Sequence, residues 1–289
     1  MIHRFQLHNG KLIDSTTPSV AAGQVGFLAG WGVFSTLRIY DGVPYQWDRH
    51  WARMKRDSAR LLVPFPGDGG AVRKQMLELI DANQATNAVL RIYVVRNRGG
   101  LWEGPGEKPE YDVIGFTANV TPWPATMKLG LVPNARHAAS EFAGTKYISW
   151  SENLTRYERA HHQGLDEVVL LNERGEVSEC TSANIFTVHG SKVSTPSLTA
   201  GCLAGVTRAI LLEELQVDGI DIRERTLLPA DLESADEVFI TSTTRELLPV
   251  VSVEGLRIRG ARQVTDRLQK AFSENVAAYV LAHRQTAHA

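Results

Sequence analysis

Apolar and polar positions along this chain change period several times. Two short alternating runs, Phe5 to Leu7 and Lys11 to Ile13, flank Asn9-Gly10, which predicts a β-hairpin. Val33 to Tyr40 reads as a strand closed by a turn at Asp41-Gly42. The period then lengthens. Trp51, Met54, Ala59 and Leu62 recur at helical spacing after Asp48, which is placed to cap that helix. A second helix, over residues 69–84, carries Val72, Met76, Leu79 and Ile80 on one side. Residues 87–96 and 111–120 are β-branched runs and predict strands. The Gly/Pro-rich stretch between them, Asn97 to Glu110, has a length often reserved for function.

The segment Thr121 to Thr126, "TPWPAT", interrupts regular structure with two prolines. The chain restarts with a strand at Lys128 to Val132. Leu154, Tyr157 and Ala160-His161 then share a helix face that ends at Gly164. A strand, Glu167 to Leu171, leads into a turn at Asn172 to Gly175. Glu179 is expected just before the next strand, Asn184 to His189. A helix at Val206 to Leu215, strands at Ile220 to Arg225 and Glu237 to Ile240, and a hairpin about Glu254-Gly255 follow. A last amphipathic helix carries Val264, Leu268, Phe272, Val276 and Ala277. The pattern divides into a small α/β domain at 1–120, a linker at 121–126 and a larger domain at 127–289. It contains no internal repeat.

Composition narrows the class of partner. The net charge of -1 gives no global field that favours nucleic acid or an anionic membrane. No apolar run reaches the length of a membrane span or a signal-peptide core. The two cysteines, Cys180 and Cys202, lack metal-ligand spacing and suggest reduced thiols in the cytoplasm. No metal site is expected; His161-His162 reads as a polar helix face.

Lys146 follows the small-residue turn Gly144-Thr145, and Glu179 lies between two strands. A lysine amine forms a Schiff base with an aldehyde cofactor, and a carboxylate holds a pyridine nitrogen protonated. Gly205-Val206-Thr207 opens a helix whose free amides attract a phosphate dianion. Thr241 to Thr244 offers a second set of donors. Taken singly, each of these is ordinary capping or turn chemistry. Their occurrence together with Lys146 and Glu179 gives them weight. Arg53 shares its helix with Arg49, His50, Arg56 and Arg60, so periodicity does not single it out.

These residues carry a resemblance to the class IV aminotransferases, the fold-type IV pyridoxal phosphate enzymes. That group includes branched-chain aminotransferases, D-amino acid aminotransferases and aminodeoxychorismate lyases. The likeness runs from "NGKLID" and "GVFSTLR" through "RHWARMKRDSARLL", "GTK", "EVSECTSANIF", "LAGVTR" and "ADEVFITSTTREL". It implies an α+β chain with a small N-terminal α/β domain and a larger C-terminal mixed, β-barrel-like domain. It further implies homodimers with a partner loop at the site, and pyridoxal 5'-phosphate as cofactor. By the same resemblance Lys146 is the Schiff-base lysine, and Glu179 is the carboxylate at the pyridine nitrogen. Arg53, Val206, Thr207 and Thr243 are then the phosphate contacts.

Substrate signals within the resemblance are mixed. Ser35-Thr36 replaces the Glu-Gly of branched-chain enzymes and resembles the lyase pattern, as does "RNRGG". Arg38 and Arg91 match arginines of branched-chain enzymes. The Arg-x-His carboxylate trap of D-amino acid enzymes is absent near Leu101-Trp102-Glu103. Arg38, Arg91, Arg96 and Arg98 are candidate carboxylate binders, because arginine grips a carboxylate with two parallel bonds; Arg91 or Arg96 is favoured. Trp31, Phe34 and Trp102 are candidate apolar walls, with Phe34 placed best by its motif. Thr244 is a further candidate substrate contact. The expected reaction moves the amino group of an aliphatic amino acid, branched-chain ones included, to a 2-oxo acid. The alternatives are an aminodeoxychorismate lyase and a D-amino acid or (R)-amine transaminase.

Overall fold

The computed structural model describes residues 1–21, 23–100 and 109–284. The chain forms two compact units that no single cut separates. One comprises Met1–Thr121, Lys146–Ser149 and Ala277–Ala289; the other comprises Pro122–Thr145 and Trp150–Val276.

The first unit holds β1 (Ile2–His8), β2 (Lys11–Asp14), α1 (Val25–Ala29), β3 (Gly32–Tyr40), β4 (Val43–Pro44), α2 (Trp47–Arg60), α3 (Gly69–Ala82), β5 (Ala88–Arg96) and β6 (Tyr111–Asn119). The strands make one antiparallel sheet in the order β2-β1-β6-β5-β3-β4. Asn9 and Gly10 both take positive φ, as the tight β1–β2 turn requires. Asp68 caps α3 by accepting from the Ala71 amide at 3.0 Å. The predicted stripe Val72, Met76, Leu79 and Ile80 is the buried side of α3, in one core with Leu37, Ile39, Leu90 and Ile92.

α2 departs from its predicted face. Its N-cap is Gln46, and Asp48 lies in the first turn without capping it. The buried residues are Trp47, His50, Arg53, Met54, Asp57 and Ser58, whereas Ala59 and Leu62 are exposed. A polar helix face is buried here because its groups bond to one another and to β3. α1 has only five residues and no apolar periodicity to announce it.

The second unit holds β7 (Met127–Arg136), α4 (Ser151–His162), β8 (Glu167–Asn172), β9 (Val177–Cys180), β10 (Asn184–His189), β11 (Lys192–Thr195), α5 (Val206–Glu213), β12 (Asp221–Glu224), α6 (Pro229–Ser234), β13 (Glu237–Ser242), β14 (Glu246–Val253) and most of α7 (Gln263–His283). Its eight strands run in the order β12-β11-β10-β13-β14-β7-β8-β9, curled as an open half-barrel. The pairs β11–β12, β14–β7 and β7–β8 are parallel, and the rest antiparallel. The fold is thus α+β with two sheets.

Three local expectations need correction. Glu179 lies inside β9, a short strand whose polar Ser178-Glu179 hides it from a hydrophobic pattern. The long hairpin is β13–β14, with Ser242 opposite Glu246. About Glu254-Gly255 there is only an isolated Val253–Leu256 bridge. On α7, Ala277 is exposed while Thr265 is buried, its amide and hydroxyl both donating to Glu237 at 2.7 Å. Among the described residues, no helix is long and apolar enough to cross a membrane, and no His/Cys/Asp/Glu group is arranged to hold a metal.

Candidate active site

In the first unit the alternation of β3 separates two kinds of residue. Val33, Leu37 and Ile39 face the core, with Ser35 on the same side. Phe34, Thr36, Arg38 and Tyr40 take the opposite face. Register pairs Phe34 with Tyr93 and Thr36 with Arg91, which brings these onto that face too.

Lys146 is held against the edge of β3. Its carbonyl accepts from the Phe34 amide at 3.3 Å, and Ile148 N donates to Gly32 O at 3.0 Å. Asp57 Oδ2 accepts from the Lys146 amide at 3.0 Å. The Lys146 Nζ stands 4.4 Å from the Phe34 ring centroid. The Arg91 guanidinium lies 5.0 Å from the same centroid and 5.5 Å from that of Tyr93. Phe34 and Tyr93 stack at 5.6 Å. The buried Arg91 Nε has no hydrogen-bond partner.

Of the arginines on α2, Arg53 alone is buried, at 6% exposure. It donates to Ser35 Oγ at 2.9 Å, and Ser35 Oγ lies 2.8 Å from His50 Nδ1. Ser35 therefore accepts from the guanidinium and donates to a neutral imidazole. Burial, then the charges of Arg53 and Lys146, holds His50 well below its ordinary pKa of 6.5. Burial also pulls Arg53 down to about 10, leaving it charged at neutral pH.

The other arginine candidates are committed elsewhere. Arg38 donates to Ile39 O at 2.8 Å, Ala88 O at 2.9 Å and Asn87 Oδ1 at 2.5 Å. Arg96 shares the strand parity of Val94, opposite to Arg91. It donates to Arg98 O at 2.6 Å and to Leu62 O, and covers the Trp31 ring. Arg98 is exposed. Trp31 packs against the core and donates to Leu61 O at 2.7 Å. Trp102 lies outside the described residues.

In the second unit, Glu179 accepts from Arg136 Nε at 2.9 Å and from Leu203 N at 3.0 Å. Arg136 also donates to Asn153 Oδ1 at 2.9 Å. The carboxylate is thus oriented on both oxygens, with lone pairs remaining. Val206 and Thr207 open α5, whose N-cap Gly205 has no side-chain bond to the first amides. A Cβ at Gly205 would overlap the Asn184 side-chain oxygen. Asn184 is directly opposite Thr241, so Thr241 shares its face; the buried Thr241 Oγ1 has no hydrogen-bond partner. Thr243 and Thr244, half-buried, lie in the turn that follows. Arg136, His50 and Asp57 escaped the sequence reading. His50, Arg53 and Asp57 have the spacing of one helix face, a signal that an apolar pattern alone does not use.

The amino-transferase class IV family model matches residues 32–253. The chain belongs to the class IV aminotransferases. It is 28% identical over 288 residues to the branched-chain-amino-acid aminotransferase of Escherichia coli K12, covering 91% of this chain and 90% of that one. It is 26% identical over 280 residues to the D-alanine aminotransferase of Bacillus licheniformis, covering 93% and 96%. The solved branched-chain amino acid aminotransferase of Escherichia coli superposes with TM-score 0.85 at 25% identity, covering 95% of this chain and 94% of that one. This class IV aminotransferase is accordingly a pyridoxal phosphate-dependent transaminase. Its residues suit that cofactor: an oriented carboxylate, a helix start without a side-chain cap, and an orphaned hydroxyl beside it.

Proposed function

We propose that this class IV aminotransferase moves the amino group of an aliphatic amino acid, branched-chain ones included, to a 2-oxo acid. The observation that carries this reading is the pairing of Lys146 and Arg91 about the single ring of Phe34. An amine for proton transfer and a guanidinium for a carboxylate share an aromatic floor. That suits a small amino acid with an apolar side chain.

Pyridoxal phosphate, when bound, supplies an aldehyde for the substrate amine and a ring that draws electrons from Cα. With the cofactor bound, Lys146 would hold it through its aldehyde carbon; the substrate amine would take that place, and the freed lysine amine would then carry a proton between Cα and C4′. The Glu179 carboxylate accepts from the ring nitrogen and favours its protonated form. Arg53, the Val206 and Thr207 amides and Thr243 bind the phosphate. Arg91 binds the substrate carboxylate. Phe34 and Thr244 are its further contacts, and Arg38 and Arg96 brace the sheet and the turns around it. We further propose a homodimer in the cytoplasm; two free, buried cysteines suit a reducing compartment.

Thr36 favours a second reading. Its side chain stands opposite Arg91 where branched-chain enzymes have glycine, and that resembles the aminodeoxychorismate lyases. A donor panel separates the readings, using both enantiomers of each amino acid with 2-oxoglutarate or pyruvate. Acceptor-dependent turnover of L-leucine or L-valine supports the first reading. Turnover of D-amino acids or (R)-amines alone changes the donor class. Acceptor-independent release of pyruvate from aminodeoxychorismate replaces the transaminase reading by the lyase.

A further inference from the structure

A buried ion pair lies in the second unit, among residues given no role above. Glu167, at the start of β8, has 0% exposure, and Arg245, in the β13–β14 turn, has 6%. Arg245 donates to Glu167 Oε2 at 3.3 Å. Glu167 Oε1 also accepts from Val168 N at 3.0 Å, Thr181 N at 3.2 Å and Thr181 Oγ1 at 2.5 Å. Ser182 Oγ donates to Oε2 at 2.7 Å. Arg245 donates in addition to Ser182 Oγ at 2.9 Å and covers the Trp123 ring at 3.9 Å. A buried carboxylate with five donors is fully satisfied.

Burying two charges adds little net stability over an apolar pair of similar size. What it does add is a fixed relation between the segments it joins. One is the turn Thr181-Ser182, directly after Glu179-Cys180 and separated from Asn184 by Ala183 alone. The other is the turn Thr243-Thr244-Arg245. From the first, Asn184 Nδ2 donates to Leu203 O at 2.9 Å, and the Leu203 amide holds Glu179. Asn184 also meets Gly205, the N-cap of α5. Glu167 therefore ties the Thr181-Ser182 turn, which follows Glu179, directly to the Thr243-Thr244-Arg245 turn, and Asn184 carries that link on to the start of α5.

We infer that Glu167 and Arg245 are positioning residues that set the phosphate-holding turn and the Glu179 strand in register. The inference rests on the cofactor roles proposed above. Without the pair, both turns keep their sequence but lose their common anchor. The donors at Thr243 and at the start of α5 then no longer meet one phosphate together.

The test compares Glu167→Gln, Arg245→Lys and the apolar double variant Glu167→Leu/Arg245→Met. Each is titrated with pyridoxal 5'-phosphate and with pyridoxal plus inorganic phosphate, and each is melted. A purely structural role predicts changes in melting temperature alone. The positioning role predicts that the preference for pyridoxal phosphate over pyridoxal falls by about tenfold or more, the scale of one charge-assisted bond. This fall should persist in the double variant, which should recover thermal stability. Arg245→Lys keeps the charge and loses the fork onto Ser182, so it gives a folded, partly impaired comparison. Wild-type preference in any folded variant lacking the pair overturns the inference. Failure of the unmutated protein to favour pyridoxal phosphate over pyridoxal instead overturns the phosphate assignments beneath it.

Discussion

The Nζ of Lys146 stands 4.4 Å from the centre of the Phe34 ring. Its backbone is fixed independently, by Asp57 and by the edge of β3. Lys146→Ala should therefore abolish turnover and covalent cofactor attachment while leaving the melting temperature within a few degrees of wild type. The measurement is activity and the visible absorption band, beside a thermal melt. Wild-type activity in this variant would refute the assignment of Lys146.

Glu179→Gln keeps the shape of the side chain and removes its charge. It leaves Arg136 facing a neutral amide. Transaminase activity should drop on the order of 100-fold or more, as when a charge-stabilising group is lost from a site. Cofactor retention should change far less. Activity within a few-fold of wild type would reduce Glu179 to a strand residue that anchors Arg136 and Leu203.

The three neighbouring arginines on α2 predict different outcomes. Arg53 is buried, whereas Arg49 is half-buried and Arg56 exposed. Arg53→Ala should weaken retention of pyridoxal phosphate by roughly 1.5–3 kcal/mol, the worth of a hydrogen bond to a charged group. Inorganic phosphate should then compete better. Arg49→Ala and Arg56→Ala should retain the cofactor. Equilibrium dialysis decides the matter, and the reverse order of losses would move the phosphate contact along the helix.

His50 predicts a pH effect. Its imidazole stays neutral in the folded chain, while the unfolded imidazole takes a proton near 6.5. The unfolded state then binds more protons. This contribution to stability is complete above 6.5 and is lost as pH falls toward the depressed folded value. His50→Gln keeps an acceptor for Ser35 and removes the titration. Between about pH 7 and about pH 5 its denaturation midpoint should fall less steeply than wild type's. Parallel slopes would show that His50 does not carry this dependence.

Much of this was legible in the sequence, for physical reasons that differ by element. α3 reads directly, because its apolar stripe is its buried stripe. The β1–β2 turn reads from Asn9-Gly10, since both positions need positive φ. α2 misleads, because the face it buries is His50, Arg53 and Asp57, whose partners on β3 and beside Lys146 are distant in sequence. The same distance hid Arg136 from Glu179 and Arg245 from Glu167. Four candidate carboxylate binders looked alike as arginines. Strand parity and backbone carbonyl partners separate Arg91 from Arg38 and Arg96, and neither is visible before the strands are paired.

The central claim is amino transfer from an aliphatic amino acid, and the half-reaction tests it most directly. The purified, pyridoxal phosphate-loaded protein is mixed with L-leucine alone while its visible absorption is followed. The band should bleach, and 2-oxoglutarate added afterwards should restore it. Arg91→Ala should need far more L-leucine for the same bleaching. An unchanged band with every branched-chain amino acid, alongside release of pyruvate from aminodeoxychorismate without any acceptor, would contradict the transaminase account.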